Sequence, residues 1–368
     1  MGAAEPASAG DLSTFPGVSF VIPVHNGAPW LDRVLDAVRA QTYPGAVEVI
    51  VVDDRSTDDS MAIVRRRADA QTIVLLDGPG RGATAAMNLG IAAAAHPFIA
   101  QIDQDVVIGP HWLSTLIAAI DDDRVAAAQG HYIAAPEAGP WSRVMGLDLA
   151  QRYKQLGPWT NHVCTGNSVY RKSSLLEIGL FDETLGYGYD NDVSYRLVHA
   201  GYRLAFRAQA TSTHYWREGL MNYARQQYGF GYGRLDLIAK HRRRLGGDNV
   251  SRLAMMLHGP VMAAAIAAFA IAAALAIAGR DARTPAVTGL ALVAGLAIER
   301  AIAGARAARA FNDRAGLWFA PAHLVRDVAW AAAIGIWLLR RLGGQAPQPT
   351  DSMPTGPRRG DLSSRGGA

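Results

Sequence analysis

Asp103 and Asp105 stand one residue apart at the end of the apolar run Phe98-Ile99-Ala100-Gln101-Ile102. In an extended chain alternate side chains point the same way, so this spacing directs both carboxylates at one spot. The two charges repel unless a cation or a set of donors lies between them. Hard divalent ions such as Mg2+ or Mn2+ take oxygen ligands of this kind and commonly share them with phosphate, which makes a diphosphate-bearing substrate the natural third party. A solvated turn after a strand is the competing reading, and Asp-x-Asp alone does not decide it. A second acidic pair, Asp53-Asp54, ends the apolar run Val47–Val52. Between the two pairs, Gly78-Pro79-Gly80-Arg81-Gly82 feeds an Ala-rich segment. Such a loop lets backbone amides and Arg81 approach a phosphate, although a flexible surface loop explains the same residues equally well. It is not a Walker loop, because no Gly-Lys-Ser/Thr follows.

The elements that must position these groups alternate. Val18–Val24 reads as a strand closed by His25-Asn26-Gly27, and Trp30–Gln41 carries Leu31, Val34, Leu35 and Val38 at helical spacing. The Val47 strand follows, then N-cap residues at Arg55–Asp59, a helix over Ser60–Ala68 and a strand over Thr72–Leu76. This alternation predicts a doubly wound, mostly parallel α/β sheet. In such sheets ligands bind beyond the carboxyl ends of the strands, where Asn26, Asp53, Asp54, Asp103 and Asp105 would lie.

The order Val-Ile-Pro-Val-His-Asn, Val-Val-Asp-Asp-x-Ser-x-Asp-x-Ser, Arg-Gly-x-x-x-Ala-x-Asn-x-Gly-Ile and Asp-x-Asp resembles the nucleotide-binding half of the family 2 inverting glycosyltransferases of GT-A fold. Thr165-Gly166-Asn167, Gly179-Leu180-Phe181-Asp182, Asp190-Asn191-Asp192 through Arg196, Gly201-Tyr202-Arg203 and Thr213-His214 resemble its acceptor half in the same order. The resemblance implies that Asp54, with Asp53 and Asn26, holds the nucleotide base. It implies that Asp103 and Asp105 hold the ribose and a Mg2+ or Mn2+ ion, that His214 completes the metal site or contacts the diphosphate, and that Asp190 is the general base. Arg81, Asn88, Asn167, Asp192 and Arg196 are expected among the substrate contacts. One departure stands out: many relatives have Glu-Asp where this chain has Tyr189-Asp190. Capping of a helix over Val193–Ala200 is the competing role for Asp190 and Asp192. No Gln-x-x-Arg-Trp element follows His214, which argues against processive polymer synthesis.

The chain has 368 residues, half of them apolar, with a formal charge of +4 and a pI near 9.3. The single cysteine, Cys164, excludes an intramolecular disulfide and suits a reducing, cytosolic face. Arginines cluster at 242–244 and 300–314, beside the apolar stretches Leu257–Ala278 and Thr284–Ile298, so a membrane surface explains the basicity better than nucleic acid does. A third stretch, Leu317–Leu339, contains His323, Arg326 and Asp327, charges that are costly at mid-bilayer. Two spans plus an interfacial helix are expected, with three spans as the alternative.

The expected organisation is a disordered leader (1–17), a GT-A domain (18–245), a membrane region (246–342) and a disordered tail (343–368). The expected function is transfer of one sugar from a nucleotide-sugar donor to a lipid-linked or other glycan acceptor, at the cytoplasmic face of the cell inner (plasma) membrane. A catalytically degenerate nucleotide-sugar-binding module and a nucleotidyltransferase on a similar fold are the alternatives.

Overall fold

The computed structural model describes residues 15–68, 72–242 and 246–344. Most of the expected leader and tail, together with Arg243 and Arg244, lies outside the described residues.

The first half builds the sheet by alternation. Strands β1 (Val18–Val24), β2 (Val47–Asp53), β3 (Ile73–Asp77) and β4 (Phe98–Ile102) are joined through helices α1 (Ala28–Arg39), α2 (Ser60–Ala68) and α3 (Ala83–Ala93). All pairings among these strands are parallel, in the order β3-β2-β1-β4. All seven residues of β1 are buried because helices cover both faces. Val18, Phe20, Ile22 and Val24 meet Leu31, Val34 and Leu35 of α1, whereas Val21 faces Met87 and Ile91 of α3. Gly90 lets α3 lie close over β1, since a Cβ there would come within 2.5 Å of Val21.

The second half adds antiparallel and parallel strands to β4. These are β5 (Val106–Ile108), β6 (Val125–Ala134), β7 (Trp159–Thr160), β8 (Asn167–Arg171) and β9 (Arg203–His214), with helices α4 (Trp112–Ile117), α5 (Pro140–Tyr153), α6 (Lys172–Glu177) and α7 (Tyr189–His199) between them. Among the described residues the result is one nine-stranded sheet ordered β3-β2-β1-β4-β8-β6-β9-β5, with β7 on β9. Helix α7 starts four residues before the expected Val193, because Gly188 adopts φ +78° and serves as its N-cap. Asp190 and Asp192 thus lie inside the first turn.

Helix α8 (Leu220–Lys240) leads to three apolar helices, α9 (Leu253–Ile277), α10 (Arg283–Phe311) and α11 (Phe319–Leu342), the last preceded by a short 3-10 helix, Arg314–Trp318. Each of the three is long and apolar enough to cross a membrane. At 1.5 Å per residue, the 25 residues of α9 span about 37 Å, against a hydrocarbon core of about 30 Å. The charges of the third stretch face inward: Arg326 Nη2 meets His258 Nδ1 at 3.1 Å, Arg326 Nε donates to Asp327 Oδ1 at 3.1 Å, and Arg300 Nη2 meets His258 Nε2 at 2.9 Å. Helix α11 runs along α8, with Trp330 against Gly231 and Trp337 Nε1 donating to Asp236 at 2.8 Å. Farther along, Phe269 of α9 meets Gly289 of α10.

Candidate active site

The acidic strand ends converge on the carboxyl edge of the sheet. After β1, Asn26 adopts φ +55°, and its side-chain oxygen accepts from Thr57 N at 2.8 Å, tying the first turn to the one after β2. Asp53 Oδ1 accepts from Ser56 N at 2.9 Å within that second turn. Asp54 is buried, and its two oxygens accept from Gly80 N at 2.6 Å and Gly82 N at 2.7 Å. The Gly-rich loop is therefore strung from a carboxylate, with Gly80 and Gly82 both at positive φ. Arg81 on this loop is exposed and pairs with Glu183 at 3.0 Å, beside a cleft of about 290 Å³ that both residues line.

Asp103 and Asp105 flank Gln104, whose amide bonds His25 N at 2.8 Å and His25 O at 3.1 Å, locking the acidic turn to the end of β1. No sequence signal marked Gln104, since it reads as the variable residue of the motif. Gly166 backs the same turn: a Cβ there would overlap the Asp103 carboxylate. His214, the last residue of β9, opposes Val106 in the ladder and brings Nε2 to 3.9 Å from Asp105 Oδ1. Its ring stacks on Trp216, with centroids 4.5 Å apart and planes 9° apart. Burial and then the Asp105 charge push the Asp103 carboxyl up to about 7; burial pushes Asp105 up to about 6; burial drives His214 down to about 4. These are acids and an imidazole short of a counter-charge. His214 Nδ1 is buried without a partner among the described residues. Two carboxylates and an imidazole form a donor set that suits Mn2+ or Mg2+.

Asp190 approaches from the acceptor half. Its side chain is 29% exposed, accepts from the Asn191 amide at 2.8 Å, and adds its charge to the upward pull on Asp103. Behind it, the ligand atoms of His162, Cys164 and Asp190 lie within 4.8 Å of one another, close enough to hold a cation. The hydrogen bonds favour a different use. Asn191 Nδ2 reaches both His162 Nδ1, at 3.0 Å, and the Asp248 carboxylate, at 2.8 Å. His162 Nε2 faces Cys164 Sγ at 3.6 Å and Asp190 Oδ2 at 3.8 Å, and these neighbours with Asp248 outweigh burial and hold the imidazole up to about 9. His162, Asn191 and Asp248 were not anticipated, because their contacts join segments far apart in the chain.

The other residues expected among the substrate contacts make contacts within the protein. Asp192 is 0% exposed and paired with Arg196 at 2.8 Å, Lys240 at 2.7 Å and His241 at 2.7 Å. Arg196 also donates to the Ile178 and Leu180 carbonyls, both at 2.6 Å. Asp192 and Arg196, expected among the substrate contacts, clamp α7 to α8 and to the 178–180 turn. The Asn88 amide is engaged by Phe181 N, Phe181 O and Glu183. Asn167 is fully buried and accepts from Trp112 Nε1 at 2.5 Å, which fixes the strand beside Gly166.

Residues 19–179 match the family described as Glycosyl transferase family 2. The chain is similar to the pre-mycofactocin glycosyltransferase of Mycobacterium tuberculosis, with 32% identity over 61% of this chain and 48% of that protein. It thus spans about half the length of that relative. It is 30% identical to glycosyltransferase AglE of Haloferax volcanii, over 55% of this chain and 68% of that one. In three dimensions it resembles mannosyltransferase PcManGT from Pyrobaculum calidifontis, solved with GDP-Man and Mn2+, with a TM-score of 0.58 and 19% identity over 91% of this chain and 90% of that chain.

Proposed function

The chain belongs to glycosyl transferase family 2, and on that premise we propose that it is an inverting glycosyltransferase, moving one sugar from a nucleotide-sugar donor to a lipid-linked acceptor at the cytoplasmic face of the cell membrane. The observation that carries this reading is the meeting of Asp103, Asp105 and His214 with Asp190 at one sheet edge, the first group from the strand ends and the last from the acceptor half. Asn26, Asp53 and Asp54 shape the nucleoside pocket through the two turns and the glycine loop they hold together. Arg81 stands at the loop edge, where a diphosphate would leave. Asp103, Asp105 and His214 would hold Mg2+ or Mn2+, which would supply positive charge against the diphosphate. Asp190 accepts the acceptor hydroxyl proton as that oxygen attacks C1 from the face opposite the departing diphosphate, and one such displacement inverts the centre. His162, whose Nε2 lies 3.8 Å from Asp190 Oδ2, steadies the carboxylate from behind.

The membrane reading is a hairpin of α9 and α10, with α11 as the interfacial helix. It is supported by the run of α11 along α8, through Trp330 against Gly231 and Trp337 on Asp236, and by Arg326 meeting His258 near the start of α9. Arg306, Arg309 and Arg314 then fall on the cytoplasmic side.

A screen of the purified full chain against a panel of nucleotide sugars tests the proposal. Release of nucleoside diphosphate with an inverted product anomer, abolished by EDTA, is expected. Release of pyrophosphate or retention at C1 would overturn it.

A further inference from the structure

The segment between α8 and α9 carries a buried carboxylate. Asp248 stands just before α9 begins, and its side chain is 0% exposed. Its Oδ1 accepts from Val250 N at 2.9 Å and Ser251 N at 2.6 Å, which closes its own turn. Its Oδ2 accepts from Asn191 Nδ2 at 2.8 Å and Tyr195 OH at 2.9 Å, both on α7, and Arg234 Nη1 of α8 stands 3.6 Å away. The next residue fastens the turn a second time, as Asn249 N donates to Asn161 Oδ1 at 2.9 Å, beside His162. Burial alone would raise the Asp248 carboxyl, but His162, Arg234 and the bonds from Ser251 and Tyr195 hold it below the usual carboxylate range, so it is ionised at neutral pH.

A buried ion network of this kind is a poor source of stability, because well-packed apolar side chains of similar volume often do as well or better. What it fixes is geometry. Helix α7 begins after Gly188 at φ +78° and has no side-chain cap, so its first turn is held in place by what its own residues reach. Asp190 reaches little: its carboxylate accepts from the Asn191 amide at 2.8 Å, and His162 Nε2 lies 3.8 Å off. Asn191 is buried, and its Nδ2 ends between Asp248 Oδ2 and His162 Nδ1, the latter at 3.0 Å. The base therefore stands where Asn191 stands, and Asn191 stands where Asp248 holds it.

We propose that Asp248 is a positioning residue for the transfer reaction: through Asn191 it holds the Asp190 carboxylate at the distance and angle that the acceptor hydroxyl requires. This role rests on Asp190 being the base. Being buried, Asp248 touches neither donor nor acceptor, so its effect falls on the proton-transfer step and leaves nucleotide binding alone. The turn that carries it runs directly into α9, whose N-cap is Arg252, so the start of the first apolar helix and the placing of the base share one short segment. Misplacement of a reacting group by about 1 Å costs on the order of a hundredfold in rate.

Asp248→Asn in the full chain, held in phosphatidylcholine nanodiscs, tests this. Asparagine keeps an oxygen for the Val250 and Ser251 amides but turns an NH2 towards Asn191 and Arg234, themselves donors. With water as the acceptor and enzyme in excess over the nucleotide sugar, nucleoside diphosphate release is followed through one turnover. Its rate constant should fall roughly ten- to a hundredfold, while donor affinity in Mn2+ stays within about twofold of wild type. Loss of folded protein alone would lower the amplitude of release and not its rate constant. Adding Asn191→Asp to Asp248→Asn exchanges donor and acceptor, restores the bond and should return most of the lost rate. Asn191→Ala cuts the same link from the other side should Asp248→Asn fail to fold. A wild-type rate constant in the folded single variant, or no recovery in the folded exchanged pair, would overturn the positioning role. Asp190→Asn run alongside keeps the two assignments apart: a rate within about threefold of wild type there removes the base itself, whereas a large fall there with an unchanged rate for Asp248→Asn removes the positioning role alone.

Discussion

Replacing Asp190 and, separately, Asp192 with asparagine separates chemistry from architecture within one helical turn. Asp190 is partly exposed, accepts one amide hydrogen bond that an asparagine oxygen also accepts, and does not cap α7, whose N-cap is Gly188. Its replacement should therefore change stability by no more than ~0.5 kcal/mol. A base acts only as the acceptor proton moves, so turnover should fall by ~10²–10⁴, or roughly 3–5 kcal/mol of barrier, with donor affinity unchanged. Asp192 is the opposite case. It is fully buried, and neutralising it weakens its bonds to the partly exposed Arg196, Lys240 and His241 at a cost of roughly 2–3 kcal/mol. At about 2–4 °C per kcal/mol for a domain of this size, Tm should drop by roughly 4–12 °C, while the folded fraction keeps its turnover. Nucleoside diphosphate release under single-turnover conditions, donor titration and thermal melts of both variants read all of this. Turnover within about threefold of wild type for Asp190→Asn refutes the base assignment. A turnover loss at Asp192→Asn without a drop in Tm would move the base there.

Gly166→Ala should displace the Asp103 carboxylate and weaken Mn2+-dependent donor binding by about tenfold or more, as read by Mn2+ titration; unchanged affinity would mean that Asp103 has room to shift. Burial alone would raise the Asp182 carboxyl, but hydrogen bonds from Lys240 and Thr184 hold it down to about 2. A depressed folded-state pKa stabilises above the unfolded value near 3.9 and loses that contribution as pH falls towards 2. Asp182→Asn should thus cost ~1 kcal/mol at neutral pH, after discounting for partial exposure, and nothing near pH 2; a cost independent of pH would contradict the ion pair. Reporters fused after Arg244 and after Arg314 should both score cytoplasmic, and an exterior signal at Arg314 would break the hairpin.

The strand ends were legible because an apolar run closed by carboxylates has one plausible geometry, and β1, β2 and β4 lie within a residue of where the hydrophobic pattern puts them. The roles of Asn88, Asp192 and Arg196 were not. Order along the chain identifies a motif but not which way its side chains face, and these three turn inward to hold loops that the linear sequence does not bring near them. Helix α7 began early because one glycine took a positive φ that spacing does not announce. Asp248 was invisible for a different reason: its partners are Asn191, Tyr195 and Arg234, and the segment around it reads as a link between domains. The charges at His323, Arg326 and Asp327 counted against burial in lipid, yet Arg326 reaches His258 of α9 as well as its neighbour Asp327.

The position of β9 imposes a timetable on biosynthesis. His214 closes the site as the last residue of the last strand, 109 positions after Asp105 (214 − 105), and β9 pairs with β5, β6 and β7, all made before it. At ~5–20 residues per second, translation leaves the acidic turn without its histidine for roughly 5–20 seconds. During that interval the edges of β5 and β6 that β9 will cover are unpaired, and exposed edges of this kind recruit other strands. The nascent head is therefore most prone to aggregation just before α8 emerges, and a ribosome that pauses between β8 and β9 would prolong that exposure more than a pause anywhere in the first half of the sheet.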